Sequence, residues 1–162
     1  MVIHPEMKAT IQELRTIVHE YQIRLNDLGE NGLAFRRNPA KWSRKEVLGH
    51  LIDSAHNNYR RFVCGQYDDP SARIVYDQEF WVKAVDYHSM NGAVIVTMWA
   101  YMNEAICRVL ENMPEENYGR VCNTTKTGLE LHSLEWLAID YVKHLKHHMN
   151  QIFENAFDVS YP

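Results

Sequence analysis

Apolar residues recur along this chain at steps of three and four, and no segment sustains the two-residue alternation of a sheet. Ile11, Leu14, Val18, Tyr21 and Leu25 mark one face of a first helix from about Glu6 to Leu28. Pro5 suits its first turn and Gly29 its end. A loop through Asn38 and Pro39 follows. Ser43-Arg-Lys-Glu46 then reads as a capping box, in which the Ser43 hydroxyl accepts from the third helical amide and the Glu46 carboxylate reaches back. The second helix it opens runs to about Cys64 along Val47, Leu48, Leu51, Ile52, Ala55, Tyr59 and Phe62, and Gly65 ends it.

Beyond it, Asp77 to Val85 predicts a short extra helix carrying Phe80 and Trp81. A third long helix spans about Ser89 to Asn112 and stops before Pro114. It is apolar nearly all round, at Val94, Ile95, Val96, Met98, Trp99, Met102, Ile106, Val109 and Leu110, as a central helix is. The segment Tyr118 to His132 predicts a small irregular hairpin. Ser133 caps a fourth helix to about Ala156, with Leu134, Leu137, Ala138, Tyr141, Leu145, Met149, Ile152 and Phe153 on its stripe. Matched stripes on four helices predict an all-α four-helix bundle, one domain over residues 1–162. The connections 66–88 and 113–132 are too long for tight hairpins. Roughly 20 residues at about 3.3 Å each can cross the length of a helix, so crossovers replace simple up-down order.

Charge and cysteine content narrow the function. The net charge is −4 and no basic stripe appears, which argues against nucleic acid and anionic membrane as partners. Cys64, Cys107 and Cys122 are an odd number at wide spacings, without a C-x-x-C, so neither a disulfide framework nor a thiolate zinc site is indicated. The first residues lack an apolar signal core, and the most apolar stretch, Ala93 to Met102, is about half a membrane span. A cytoplasmic protein outside the membrane is expected.

The departure from ordinary composition is nine histidines. His144 and His148 are four residues apart, so their imidazoles lie one above the other on one helical face, a spacing that helical metal sites use. They sit on the edge of the apolar stripe beside Leu137 and Tyr141, with Asp140 and Gln151, while His147 points elsewhere. A divalent metal needs a third ligand from another helix. His50, on the edge of the second stripe near Val47, Ser54 and Asn57, is a candidate that periodicity alone does not select. His56 is on the polar side of that helix, His19 lies off the first stripe, and His4, His88 and His132 fall in termini or loops.

The segments KWSRKEVLGHLIDSAHNNYRRF and IDYVKHLKHHMNQIF resemble the two signature segments of the DinB/YfiT-like superfamily of four-helix-bundle metalloenzymes. The family pattern is a Trp-Ser/Thr entry, a helix with His-Leu, and a late helix with H-x-x-x-H. Here these are Trp42-Ser43, His50-Leu51, and His144 with His148. The resemblance implies that His50, His144 and His148 bind one divalent metal per chain, zinc or nickel, and it suggests a homodimer. Asp140 falls where family members often carry an acidic residue.

Three neutral imidazoles leave a coordination position open, whereas structural zinc sites are closed by four protein ligands. Such a site can acidify water or hold a thiol as thiolate. Asp140, one turn before His144, could accept a hydrogen bond from that ring and fix its tautomer. Ser54 and Asn57 are candidates to line the groove. The characterised relatives implied by the resemblance include S-transferases that use a low-molecular-weight thiol as cosubstrate. The expected function is therefore metal-dependent, thiol-dependent S-transfer on a small-molecule substrate. A metal-dependent hydrolase and a non-catalytic metal-binding stress-response protein are the alternatives. Trp42 is expected to pack under the second helix, Arg60-Arg61 to be a solvated face, Phe80-Trp81 to cover the bundle end, and the cysteines to be small core or edge residues.

Overall fold

The computed structural model describes residues 5–69 and 74–162; His4 lies outside the described residues. The elements are α1 (Pro5–Asp27), α2 (Gly29–Ala34), α3 (Arg44–Cys64), α4 (Gln78–Val85), α5 (Gly92–Asn112), β1 (Val121–Asn123), β2 (Leu131–Ser133) and α6 (Leu134–Ile152). Short 3-10 turns occupy Tyr87–Ser89 and Glu115–Asn117. Strands β1 and β2 pair antiparallel with Cys122 opposite His132, which is the small hairpin the 118–132 segment predicts.

The four long helices form where the stripes place them, and their caps explain the boundaries. Ser43 and Glu46 make the full capping box, with the Ser43 amide donating to Glu46 Oε2 at 2.7 Å. Ser133 caps α6 through the Trp136 amide, Asp77 caps α4 through that of Phe80, and Asn91 caps α5 through that of Val94. Asn91, not Ser89, therefore sets the start of α5. Gly29 ends α1 at φ +63°, as a left-handed glycine does, but α2 begins at that same residue. Six residues with two glycines carry no periodicity from which to read α2.

In the bundle α1 and α3 each pack against both α5 and α6. The ring therefore runs α1–α5–α3–α6: the chain-consecutive pairs α1/α3 and α5/α6 lie across its diagonals, while α3 and α5 are direct neighbours. Of the two long connections, 113–132 crosses a diagonal as expected, whereas 66–88 joins neighbouring helices and is no crossover; the other diagonal is spanned by the 28–43 segment that contains α2. Leu14, Leu48, Leu51, Ile95, Trp99, Ile106, Leu137 and Leu145 fill the interior. A polar link crosses it: the Tyr141 hydroxyl donates to Asn103 Oδ1 at 2.6 Å, and Asn103 Nδ2 donates to the Trp99 carbonyl at 2.8 Å. Helix α5 as a whole, not merely Ala93–Met102, is long and apolar enough to cross a membrane by length and composition. Its inner face is bundle core, while Val94, Met98 and Tyr101 are exposed.

Three smaller expectations change. Helix α6 stops at Ile152, because Asn155 turns left-handed at φ 53° and the Asn150 side chain clasps the Phe157 backbone with two 2.9 Å hydrogen bonds. Arg61 is not solvated: Nε and Nη2 donate to the Ile74 carbonyl at 3.1 and 2.7 Å, pinning the 74–77 segment to α3. In α4 it is Val82 that is buried, while Phe80 stays exposed.

Candidate metal centre

Adjacency of α3 and α6 decides where the histidines meet. His50 points from α3 into their interface and is fully buried; His144 and His148 face it from α6. The Nε2 atoms of His50 and His144 stand 3.2 Å apart. The three rings are mutual neighbours, with centroids at 5.2 Å (His50–His144), 4.5 Å (His50–His148) and 4.5 Å (His144–His148), each pair near 67° to one another. One potential ligand atom from each ring lies within 4.8 Å of the other two. These are the three residues singled out in the sequence.

The outward nitrogens have their own partners. His144 Nδ1 is 3.4 Å from Ser54 Oγ, and His148 Nδ1 is 3.2 Å from Gln151 Oε1. That leaves Nε2 of each ring for the shared centre. His50 Nδ1 is buried with no hydrogen-bond partner, so Nε2 is the sole atom through which its polarity is met. Two imidazole lone pairs at 3.2 Å repel unless a proton or cation lies between them. Nitrogens bonded to one zinc at about 2.0–2.1 Å, at angles of about 90–110°, stand roughly 2.9–3.4 Å apart, so the observed spacing fits two ligands of a single ion.

Electrostatics favour the same reading. Burial lowers the pKa of all three rings: His50 to about 3, His144 well below the ordinary imidazole value, and His148 below it as well. His148 adds to the depression at His50; the other two rings, His147 and Arg61 add to that at His144. All three are neutral at pH 7, the protonation state a metal requires.

The residues around them are arranged differently from expectation. The Asp140 carboxylate does not receive the His144 ring; it accepts the Tyr161 hydroxyl at 3.1 Å, and burial raises its pKa. Ser54 takes that place. The Asn57 amide turns back to the Asp53 carbonyl at 2.9 Å, one turn earlier in its own helix. The Tyr161 ring lies 5.5 Å from His144, and Trp42 lies 5.3 Å from His50. Gln151 was legible as i+3 from His148. Tyr161 was not, because it arrives from an irregular segment without periodicity. The remaining histidines serve elsewhere. His88 Nδ1 meets Ser43 Oγ at 3.0 Å, His132 stacks on Trp136 at 3.9 Å, His56 neighbours Trp81, and His19 is exposed. His147 packs edge-on to His148 and near Tyr161.

A cleft of about 660 Å³ opens on the site at His148, with Trp42 and Gln151 in its walls. A cavity of this size suits a small molecule.

The sequence profile of the DinB superfamily matches residues 13–152. The chain belongs to the DinB superfamily. A Bacillus licheniformis protein bearing the name "Putative metal-dependent hydrolase" is 22% identical over 147 residues, covering 91% of this DinB chain and 83% of its own length. A Geobacillus thermodenitrificans protein of the same name is 24% identical over 149 residues, covering 91% and 82%. Among solved structures, YfiT from Bacillus subtilis, described as a probable metal-dependent hydrolase with an unusual four-helix bundle topology, aligns with a TM-score of 0.80 at 23% identity, over 94% of this chain and 87% of its own. A mycothiol-dependent maleylpyruvate isomerase aligns with a TM-score of 0.74 at 10% identity, over 99% and 68%. These structural likenesses establish the shared fold.

Proposed function

We propose that this DinB-superfamily chain is a metal-dependent enzyme acting on a small molecule, with one divalent ion, zinc or nickel, held by His50, His144 and His148. The observation that carries the reading is the convergence of three neutral imidazoles, one buried and two partly buried, beside an open cleft. Bound there, the ion supplies Lewis acidity at an open position, enough to acidify a water or a thiol. The chain's own residues orient the ligands and shape access. Ser54 and Gln151 fix the His144 and His148 rings, and Trp42 backs His50 beside the cleft.

Thiol-dependent S-transfer is the reaction we favour. The thiol gives its proton to solvent, its sulfur forms a bond to an electrophilic carbon, and the leaving group departs with the electron pair of the broken bond. Support comes from a fold shared with an enzyme named as mycothiol-dependent. Hydrolysis is the second reading, favoured by the hydrolase names of two relatives at 22% and 24% identity.

Elemental mass spectrometry on untagged protein tests the site. The expected result is about one metal per chain, lost in His50→Ala and His144→Ala. No uptake after incubation with Zn²⁺ or Ni²⁺ would overturn it. Metal-loaded protein is then assayed with a panel of thiols and a chromogenic aryl halide, and in parallel with a chromogenic ester and no thiol. Turnover that needs both thiol and metal supports transfer; ester turnover without thiol supports the hydrolase.

A further inference from the structure

The cleft beside His148 carries more cationic than anionic side chains. Arg37, Lys41 and Glu79 are the charged residues in its lining. Two cations at the mouth of a candidate active centre stand out in a chain of net charge −4. Lys41 makes no ion pair among the described residues. Arg37 pairs with Glu154, but the two side chains are 63% and 70% exposed, so that pair exchanges readily with solvent and with a ligand.

The turn that presents Lys41 is fixed. The Lys41 amide donates to the Asn38 carbonyl at 2.9 Å, and the Ala40 amide donates to Asn38 Oδ1 at 2.9 Å. Arg36 Nη1 donates to the Lys41 carbonyl at 2.9 Å. Arg36 also pairs at 2.6 Å with Glu46, whose carboxylate caps α3, the helix that carries His50. The lysine backbone is thus tied to the start of that helix, which limits the ordering cost of binding an anion there. Trp42 and Glu79 also line a second cleft of about 480 Å³, whose other charged residues are Glu46, Asp77, Asp86 and Lys83. Carboxylates outnumber cations in that second lining, whereas cations outnumber carboxylates in the one that holds Lys41 and His148, so an anion favours the latter.

We infer that the cleft contains a carboxylate subsite centred on Lys41, with Arg37 in support, and that the molecule presented to the three histidines is a small carboxylate-bearing compound. The inference rests on the metal reading above and adds the class of substrate or cosubstrate. Lys41 binds the carboxylate; the histidines hold the ion that meets the other end of the molecule. Glu79, in the same lining, opposes a second negative charge.

Cobalt-loaded protein tests it. The probes are mercaptoacetate, 3-mercaptopropionate and 6-mercaptohexanoate, each against the mercaptoalcohol of matching length, with affinity read from the thiolate-to-cobalt absorption. At least one carboxylate should bind about fivefold tighter than its alcohol, the scale of a partly exposed ion pair, and the preference should shrink as salt is raised. Lys41→Gln should erase the preference, Lys41→Arg retain it, and Glu79→Gln enlarge it. Equal affinities for carboxylate and alcohol at every length, or a preference unchanged in Lys41→Gln, overturn the subsite while leaving the metal centre standing. Failure to bind cobalt overturns the metal reading and the subsite with it.

Discussion

Gly49, next to His50, shows how tightly the site is braced by single residues. A Cβ built there would meet the Tyr87 ring at 2.1 Å, so the glycine is what lets that ring lie on α3. The Tyr87 hydroxyl reaches past it to Asp53 Oδ1 at 2.6 Å, while Asp53 Oδ2 is buried without a partner. Gly49→Ala must displace the ring and is expected to cost about 1–3 kcal/mol in urea denaturation. Asp53 gives a pH signature. Burial raises its pKa from 3.8 to about 6, against smaller opposing effects of Tyr87 and His56. A raised carboxyl pKa means the folded state holds the proton more tightly than the unfolded state. Its contribution is full below about pH 4 and is lost as pH rises through about 6. Asp53→Asn keeps an acceptor for Tyr87 and removes the titration. The stability of wild type minus that of variant should therefore fall by about 2 kcal/mol between pH 4 and 7. A flat difference would show that Asp53 titrates normally.

At the scale of elements, the capping box is the clearest case of sequence writing structure. Ser43 is fully buried, accepts from the Glu46 amide, and meets His88 Nδ1 at 3.0 Å, so one hydroxyl joins the start of α3 to the turn after α4. Ser43→Ala should lose about 1–2 kcal/mol in thermal or chemical denaturation, the upper end reflecting the stranded His88 nitrogen. Legibility follows the same logic. Long stripes such as Leu134 to Ile152 repeat one physical demand many times, so α1, α3, α5 and α6 could be read; the short α4 was also placed, though the role of Asp77 as its cap was not. Phe153 and Ala156 continued the stripe yet lie outside α6, because the chain turns at Asn155 and the Asn150 clasp redirects it. The pair His144 and His148 was legible from the 3.6-residue repeat alone. His50 needed the family pattern, because nothing local says which face of α3 meets α6. The bond from Tyr161 to Asp140 was invisible, since the sequence places an acidic residue near His144 but not the tyrosine that claims it.

The whole molecule brings together histidines from α3 and α6, 94 positions apart in sequence, and its diagonal topology makes those helices direct neighbours. An ion there would tie the two helices across a long chain loop that is open in the unfolded state. Binding to the folded form alone stabilises it by mass action, about 2.7 kcal/mol when free metal is a hundredfold above its dissociation constant. For a domain of this size that corresponds to a rise of roughly 5–10 °C in Tm. The stabilisation should grow with the logarithm of free zinc and disappear in His144→Ala, which leaves two imidazoles. His147→Ala should retain it, because that ring lies outside the triad. The comparison separates a specific centre from generic binding to a histidine-rich surface. Generic binding would raise Tm little and would respond to His147 as much as to His144. A zinc-independent Tm in the wild-type protein would mean that the three rings meet as a buried cluster of neutral imidazoles. The 3.2 Å contact would then have to be a hydrogen bond, with a proton on one Nε2, and that tautomer would be detectable in the nitrogen chemical shifts of His50 and His144.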